Sequence, residues 1–269
     1  MIMLDTWQLL ILALIQGLTE FLPVSSSAHL ILPSKVLGWP DQGPLIDVMA
    51  HFGSLFAVLL YFRRDVGRIL RGLVELLRRD LTRDSALALN LVVATPPALL
   101  LGLGMSLGGL DEAVRSPLVI ATTTTVFGVA LWAADRFAPE ARGVDELTWR
   151  GAFGMGMAQA VALIPGTSRS GITMTWGRAI GLTRVEAARF SMLMSLPVIG
   201  AGGLFGLLKL LGAKDGGASL SQGLIVAALS FIAAYAAIAL FLRWVPRIGM
   251  GPFALYRLAL GAALFVWVL

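Results

Sequence analysis

The chain contains no cysteine, only two histidines, and charged residues make up 14% of its 269 residues. The lack of cysteine excludes disulfides and thiolate chemistry. A soluble domain carries roughly 25% charged residues, whereas this chain is 57% hydrophobic with a mean hydropathy of +0.83. The composition therefore predicts a polytopic membrane protein.

Lysine is also scarce, so the formal net charge of +5 comes from arginine. No basic run with interleaved aromatic residues is present, which argues against nucleic acid as a partner. No G-x-x-x-x-G-K-[ST] motif is present either, which argues against ATP-driven work. The partners expected from composition are membrane lipids.

Six apolar stretches are long enough to cross a bilayer as helices, which takes roughly 17–25 residues. They are residues 45–62, 86–107, 117–134, 189–211, 222–242 and 252–269. Two further apolar stretches, residues 9–18 and 151–164, are too short and run into breaks. They fit re-entrant helical hairpins, whose irregular backbone is tolerated where it is buried in protein or lines a cavity.

Along the chain, a re-entrant hairpin is followed by three spans, and this order occurs twice. We expect one membrane domain over residues 1–269, built from internal repeats at about 1–135 and 143–269. Because three spans are an odd number, the second repeat has to be inverted relative to the first, an architecture that places binding sites near the membrane midplane. The predicted fold class is thus all-α, with about six transmembrane helices and two re-entrant hairpins in an inverted repeat.

The arginines give the orientation. If residues 63–83 are cytoplasmic, alternation of the spans places most other arginines on the same side, as the positive-inside rule expects. These are Arg136, Arg142, Arg150, Arg178, Arg184, Arg243 and Arg247. The opposite side receives Lys35, Arg115, Lys209 and Lys214.

The first hairpin carries the motif QGLTEFLPVSSSAH, residues 16–29. Gln16 and Glu20 are four residues apart and share a helix face, and Pro23 then breaks the helix before His29. Three hydroxyls follow the break: Ser25, Ser26 and Ser27. These groups suit a metal ligand or base, a nucleophile and a proton carrier. The alternative is that the serines only cap the next helix.

The second hairpin carries QAVALIPGTSRSG, residues 159–171. Gly166 and Gly171 allow the backbone to approach a ligand closely, and Arg169 offers a planar fork of donors suited to phosphate. Three hydroxyls surround the arginine: Ser168, Ser170 and Thr173. A helix starting near Ser170 also favours an anion at its N-terminus. The alternative is a helix break with an arginine that snorkels to the interface.

Asp47 and His51 are weaker candidates, since a pair four residues apart fits either a site lining or an intrahelical contact. Taken together, an acid, hydroxyls and an imidazole on one hairpin and an anion cradle on the other suit the handling of a phosphate on a lipid. Polar groups at such depth are functional candidates by default.

At these residues the sequence resembles the undecaprenyl-diphosphate phosphatases of the bacitracin-resistance type, over essentially the whole chain. Residues 16–26 are similar to the family's [E/Q]-x-x-x-E motif with its FLPVSS tail, and residues 165–173 to its P-G-x-S-R-S-x-x-T motif. The resemblance implies a multi-pass enzyme of the bacterial inner membrane with a site open to the periplasm. It implies hydrolysis of undecaprenyl diphosphate to undecaprenyl phosphate and inorganic phosphate, which recycles a carrier lipid for cell-wall synthesis.

The resemblance also implies a divalent cation, Mg²⁺ or Ca²⁺, and a role for each motif residue. Glu20 is then a metal ligand or base, Ser26 a nucleophile and His29 the group that activates or protonates, while Arg169 clamps the phosphates. The implied phosphate-binding set is Ser25, Ser27, Gly166, Ser168, Ser170, Gly171 and Thr173. Many members have glutamate where this chain has Gln16, so Gln16 is a metal ligand with less charge than usual.

Two matters stay open at this level. Inverted repeats with broken helices are also a transporter architecture, so a transporter of an anion or of the lipid itself is the alternative function. The sequence sets neither the oligomeric state, with a homodimer among the options, nor whether Ser26 or water attacks the phosphorus.

Overall fold

A computed structural model describes residues 5–40, 42–109, 116–212 and 220–268, and the described chain is helical without a strand. The helices of the first half are α1 (Thr6–Thr19), α2 (Ser26–Val36), α3 (Gly43–Tyr61), α4 (Arg63–Arg78), α5 (Arg83–Ala94), α6 (Pro96–Gly108) and α7 (Pro117–Phe137). Those of the second half are α8 (Trp149–Val161), α9 (Arg169–Ala179), α10 (Arg184–Gly212), α11 (Leu220–Ile248) and α12 (Gly251–Val268).

The predicted all-α polytopic membrane fold is confirmed. Five segments among the described residues are long and apolar enough to span a bilayer, and α3 with α4 makes a sixth if this pair, bent by 84°, counts as one span. The predicted stretch 86–107 corresponds to α5 and α6 together. Its break at Thr95 was not predicted, although Pro96 and Pro97 cause it by removing two backbone donors. Of the predicted outer charges, Arg115 and Lys214 lie outside the described residues.

The two short stretches form helix pairs with an irregular break, as predicted. In the first pair α1 ends at Thr19 and α2 starts at Ser26; in the second α8 ends at Val161 and α9 starts at Arg169. Each second helix starts after a serine with positive φ, 74° at Ser25 and 69° at Ser168. Non-glycine residues rarely adopt this conformation and it costs stability, so both breaks are held by their surroundings.

Each hairpin packs against spans of the other half. Helix α1 packs on α11, while α8 packs on α5 and α6. Small residues allow the close approach that helix association in membranes requires. A Cβ on Gly17 of α1 would lie 2.6 Å from the Ser230 carbonyl oxygen of α11. Similarly, a Cβ on Gly156 of α8 would overlap the backbone of Ala94 in α5.

Ion pairs join the helix ends near the arginine-rich α4. Asp135 at the end of α7 accepts hydrogen bonds from Arg184 (2.7 Å) and from the fully buried Arg178 (3.3 Å). Arg189 of α10 pairs with Asp65 of α4. These contacts join α4, α7, α9 and α10 at the side that the sequence predicts to be cytoplasmic.

Candidate active site

Both helix breaks line one cavity of about 420 Å³. Its polar wall comes from the two hairpins and from the start of α3, and its apolar wall from α6, the break after α8 and the second half of α10. The polar lining residues are Glu20, Ser25, Ser26, Ser27, Asp47, His51, Gln159, Ser168, Arg169 and Ser170. The structure therefore brings most of the predicted site residues together.

Glu20, 7% exposed, lies at the centre of the polar wall. Its Oε2 accepts hydrogen bonds from Gln16 Nε2 (3.0 Å) and from Ser26 Oγ (2.8 Å). Its Oε1 accepts from Arg169 Nη2 at 2.9 Å. The carboxylate therefore sits between a hydroxyl of its own hairpin and the guanidinium of the other hairpin, although 149 residues separate it from Arg169.

Arg169 is held at three points. Besides Glu20 Oε1, its Nη1 donates to the Ser191 carbonyl of α10 (3.1 Å), and its guanidinium lies 5.6 Å from the centre of the Phe21 ring. Because the side chain is oriented in this way before any ligand binds, little ordering is needed when an anion replaces or joins the carboxylate.

The serines form two similar arrangements. Ser25 Oγ and Ser27 Oγ are 3.3 Å apart in the first hairpin, and Ser168 Oγ and Ser170 Oγ are 3.3 Å apart in the second. Ser168 also caps α9 by accepting from the Gly171 amide (3.1 Å). Four of the five serines have a partner other than Glu20, which leaves Ser26 as the hydroxyl that contacts the carboxylate.

Gln16 is fully buried, and its Oε1 has no hydrogen-bond partner among the described residues. No group of three His, Asp or Glu side chains in the described chain is placed to hold a metal ion. One carboxylate and one free amide oxygen fit Mg²⁺, which binds through one or two protein ligands and substrate phosphates.

His29 lies away from this cavity. Its Nδ1 donates to the Ser25 carbonyl (2.7 Å), and its Nε2 accepts from the Tyr256 hydroxyl of α12 (2.5 Å). The ring stacks on Tyr256 with centroids 5.6 Å apart. The local bond to Ser25 turns the imidazole outward, so His29 bridges α2 and α12 and does not approach Glu20.

The second histidine, His51, lines the cavity instead. Its Nδ1 donates to the Asp47 carbonyl (2.7 Å), and its Nε2 lies 3.9 Å from Glu20 Oε2. The i, i+4 spacing of Asp47 and His51 in the sequence left open whether they face a site. The structure places both on the cavity wall.

Three predicted phosphate-binding residues take part in packing. A Cβ on Gly166, where φ is 86°, would lie 2.6 Å from the Ile120 carbonyl oxygen of α7. A Cβ on Gly171 would lie 2.6 Å from an Arg257 nitrogen. Thr173 is fully buried and contacts Ser191 Oγ (2.7 Å). The two glycines thus allow close approach to protein groups, where a ligand was expected.

Arg257 in α12 was not among the predicted site residues. It is fully buried, and its Nη2 donates to the carbonyls of Gly166 (3.0 Å) and Thr167 (2.9 Å) at the second break. These carbonyls have lost their helical partners, and the guanidinium replaces them. An arginine in the middle of an apolar stretch was a signal available from the sequence.

Comparison with known proteins identifies the family of this chain. The family profile described as bacitracin resistance protein BacA matches residues 9–263. An undecaprenyl-diphosphatase of Maricaulis maris is 53% identical over 262 residues, which are 96% of this chain and 97% of that protein. Proteins of the same name from Alteromonas mediterranea (48%, covering 97% of this chain and 98% of that one) and Hahella chejuensis (49%, covering 98% of each) are also similar. Because these matches include both hairpins and almost the whole length, the chain belongs to the bacitracin resistance protein BacA family.

Proposed function

We propose that this protein hydrolyses undecaprenyl diphosphate to undecaprenyl phosphate and inorganic phosphate, and so recycles the carrier lipid for cell-wall synthesis. Membership of the family and the names of its relatives support the reaction class. The observation that carries the proposal is the hydrogen bond from Ser26 Oγ to Glu20 Oε2, with Arg169 against the other carboxylate oxygen. A nucleophile, a base and an anion-binding group thus share one cavity.

In the mechanism that this geometry favours, Glu20 takes the hydroxyl proton of Ser26 as the serine oxygen attacks the terminal phosphorus. The bond between that phosphorus and the bridging oxygen breaks, and undecaprenyl phosphate leaves with the electron pair. Arg169 neutralises charge on the transferring phosphoryl group, which is how enzymes mainly accelerate this step. Glu20 passes this proton to the departing phosphate and is again a carboxylate. It then deprotonates the water that attacks the phosphoserine, and returns that proton to Ser26 Oγ as the serine–phosphorus bond breaks and inorganic phosphate leaves. Direct attack by water activated by Glu20 is the alternative.

A divalent cation would be held beside these residues by Glu20 and Gln16 Oε1. When bound, it would neutralise negative charge on the diphosphate. The protein groups described above keep their roles of accepting the proton, attacking the phosphorus and orienting the phosphates.

The cavity position supports a bacterial inner-membrane enzyme with a periplasmic opening. Its lining includes Asp47 and His51 near the start of α3 and Gly202 and Gly203 in the second half of α10. These parts of both helices lie away from the arginine-rich α4 and from the ion pairs of Asp65 and Asp135. With that end cytoplasmic by the positive-inside rule, the cavity opens toward the periplasm, and its apolar wall faces the lipid tail.

Phosphate release from a prenyl diphosphate by the purified protein tests the proposal, with and without Mg²⁺ or Ca²⁺. We expect Ser26→Ala to lower kcat by at least about 100-fold, because it removes both nucleophile and proton donor. The matched variant Ser27→Ala should lose less, because Ser27 Oγ contacts Ser25 and not Glu20. Trapping a phosphoryl group on Ser26 would establish the covalent step, whereas full turnover by Ser26→Ala would establish attack by water.

Absence of phosphate release under all cation conditions would refute the enzyme and favour the transporter reading. A transporter needs Arg169 for anion binding but has no use for a Ser26–Glu20 pair. Uptake of a labelled anion or transbilayer movement of the lipid by the same preparation would then be measured.

A further inference from the structure

Gln159, in the last turn of α8, is the first residue of the second motif and lines the cavity, but it was not among the predicted site residues. Its side chain is 1% exposed, and neither its Nε2 nor its Oε1 has a hydrogen-bond partner among the described residues. A buried amide without partners costs stability, and native proteins rarely keep one without a reason. A leucine or methionine would fill the same space without this cost.

The comparison with Gln16 explains why the amide is free. Each glutamine lies in the last turn of the first helix of its hairpin, nine residues before the strained serine (Ser25 or Ser168). In the first hairpin Gln16 Nε2 donates to Glu20, four residues later. In the second hairpin the residue four positions later is Leu163, which accepts nothing. The N–H groups of Gln159 therefore remain available to a ligand in the cavity.

The neighbouring groups indicate the chemistry of that ligand. Arg169 and the hydroxyl of Ser168 line the same cavity and come from the same hairpin, whereas the Ser170 hydroxyl donates to the Leu22 carbonyl (2.8 Å). A guanidinium, a hydroxyl and an amide N–H together form a donor-rich wall, which suits an anion with several acceptor oxygens. A diphosphate has more non-bridging oxygens than one guanidinium can bind.

We infer that Gln159 is a substrate-binding residue whose amide donates to a non-bridging oxygen of the lipid diphosphate. This inference rests on the proposed function and adds a phosphate ligand to it. Gln16 and Gln159 then have different tasks: Gln16 orients the carboxylate of Glu20, and Gln159 orients the substrate.

The test uses Gln159→Met, which keeps the volume and removes both polar atoms. The probe is farnesyl methylenediphosphonate, whose P–C–P bridge cannot be hydrolysed, so binding is measured without turnover. We expect the dissociation constant to rise by about tenfold or more, which is what loss of one hydrogen bond to a charged group causes. We expect KM for a prenyl diphosphate to rise by a similar factor, with a smaller change in kcat.

Thermal unfolding of the ligand-free protein separates substrate binding from a structural role. Because Gln159 has no partner in the free protein, Gln159→Met should unfold at the same or a higher temperature than the wild type. The matched control is Gln8→Met in α1, where the Gln8 amide oxygen accepts from the Asp5 backbone N–H (2.8 Å). That variant should unfold at a lower temperature and bind the probe as the wild type does.

Unchanged probe affinity of folded Gln159→Met would refute the inference. If its unfolding temperature were also lower, Gln159 would have a structural role instead. If Gln159→Met does not fold, Gln159→Glu decides, because a carboxylate at this position should repel the diphosphonate and weaken binding further. Equal binding by Gln159→Glu would also refute it. If wild type binds the probe but releases no phosphate, the proposed function fails while the assignment of Gln159 as an anion ligand is still measured.

Discussion

Replacing Glu20 by glutamine separates the basicity of this side chain from its shape. An amide oxygen in place of Oε2 can still accept from Gln16 and Ser26, so the local hydrogen bonds of the first hairpin are kept. In the wild type, Arg169 Nη2 donates to Glu20 Oε1 at 2.9 Å. In the variant an amide nitrogen takes the place of Oε1, and two donors then face each other. One charge-assisted hydrogen bond is therefore lost, which corresponds to about 1.5–3 kcal/mol of stability in a folded protein.

The effect on the reaction is larger and has a different origin. An amide cannot take the Ser26 proton, and positioned general bases typically contribute 10²–10⁴-fold to rate. We expect kcat of Glu20→Gln to fall by about that factor, which equals roughly 3–5 kcal/mol of barrier. Affinity for the non-hydrolysable farnesyl diphosphonate should be kept or increased, because a negative charge has left the cavity and Arg169 is free to pair with the phosphates.

The assay is phosphate release per folded molecule, with folded protein isolated by size exclusion, together with probe binding and thermal unfolding. Turnover within about threefold of wild type, a difference below about 1 kcal/mol, would show that Glu20 is not the base. A loss of probe affinity matching the loss of turnover would assign Glu20 to substrate binding, which also contradicts the mechanism.

Other predictions follow from the same structure. Gln16→Glu places two carboxylates within hydrogen-bond distance, so activity should depend more strongly on added Mg²⁺, with the half-saturating concentration roughly tenfold lower; equal cation titrations would contradict this. His29→Gln should keep kcat within about threefold and leave its pH profile unchanged, because His29 contacts Tyr256 outside the cavity; a 100-fold loss would place it in the reaction. Gly166→Ala should destabilise the protein by about 1–3 kcal/mol more than Gly109→Ala, since both have positive φ but only Gly166 is enclosed; equal melting shifts would contradict the packing account.

Much of the helical layout could be predicted because it depends on length and composition. Long apolar stretches have few alternatives in a membrane, and a proline next to clustered serines ends a helix. The predicted span over residues 86–107 is found as one segment, Arg83–Gly108. Only the local interruption at Thr95 was not predicted, although Pro96 and Pro97 mark it.

The proximity of Glu20 and Arg169 could also be predicted, because an ionised side chain in a membrane has a high free energy unless an opposite charge lies beside it. The orientation of the two histidines could not. His29 follows the serines directly but its ring is turned outward by the Ser25 carbonyl, while His51 on another helix faces Glu20. Spacing along the chain gives the face of a helix, but what lies opposite that face depends on packing between distant segments.

The two glycines of the second motif illustrate the same limit. Sequence shows that Gly166 and Gly171 lack side chains, and hence that something approaches closely. It does not distinguish a ligand from the backbone of α7 or the guanidinium of Arg257. Which group lies against Gly166 or Gly171 depends on how the second half of the chain packs on the first.

The packing of each hairpin on the opposite half has a consequence for biosynthesis. Glu20 enters the membrane early, but its cation, Arg169, is made 149 residues later. At about 5–20 residues per second, the carboxyl group waits on the order of ten seconds in the bilayer before its partner is synthesised. Since an unpaired carboxylate is expensive there, the newly inserted first half has to keep Glu20 protonated or in contact with water. The reaction centre is thus completed only after the second hairpin has inserted. A chain that ends before Arg169 lacks a group that the proposed mechanism requires.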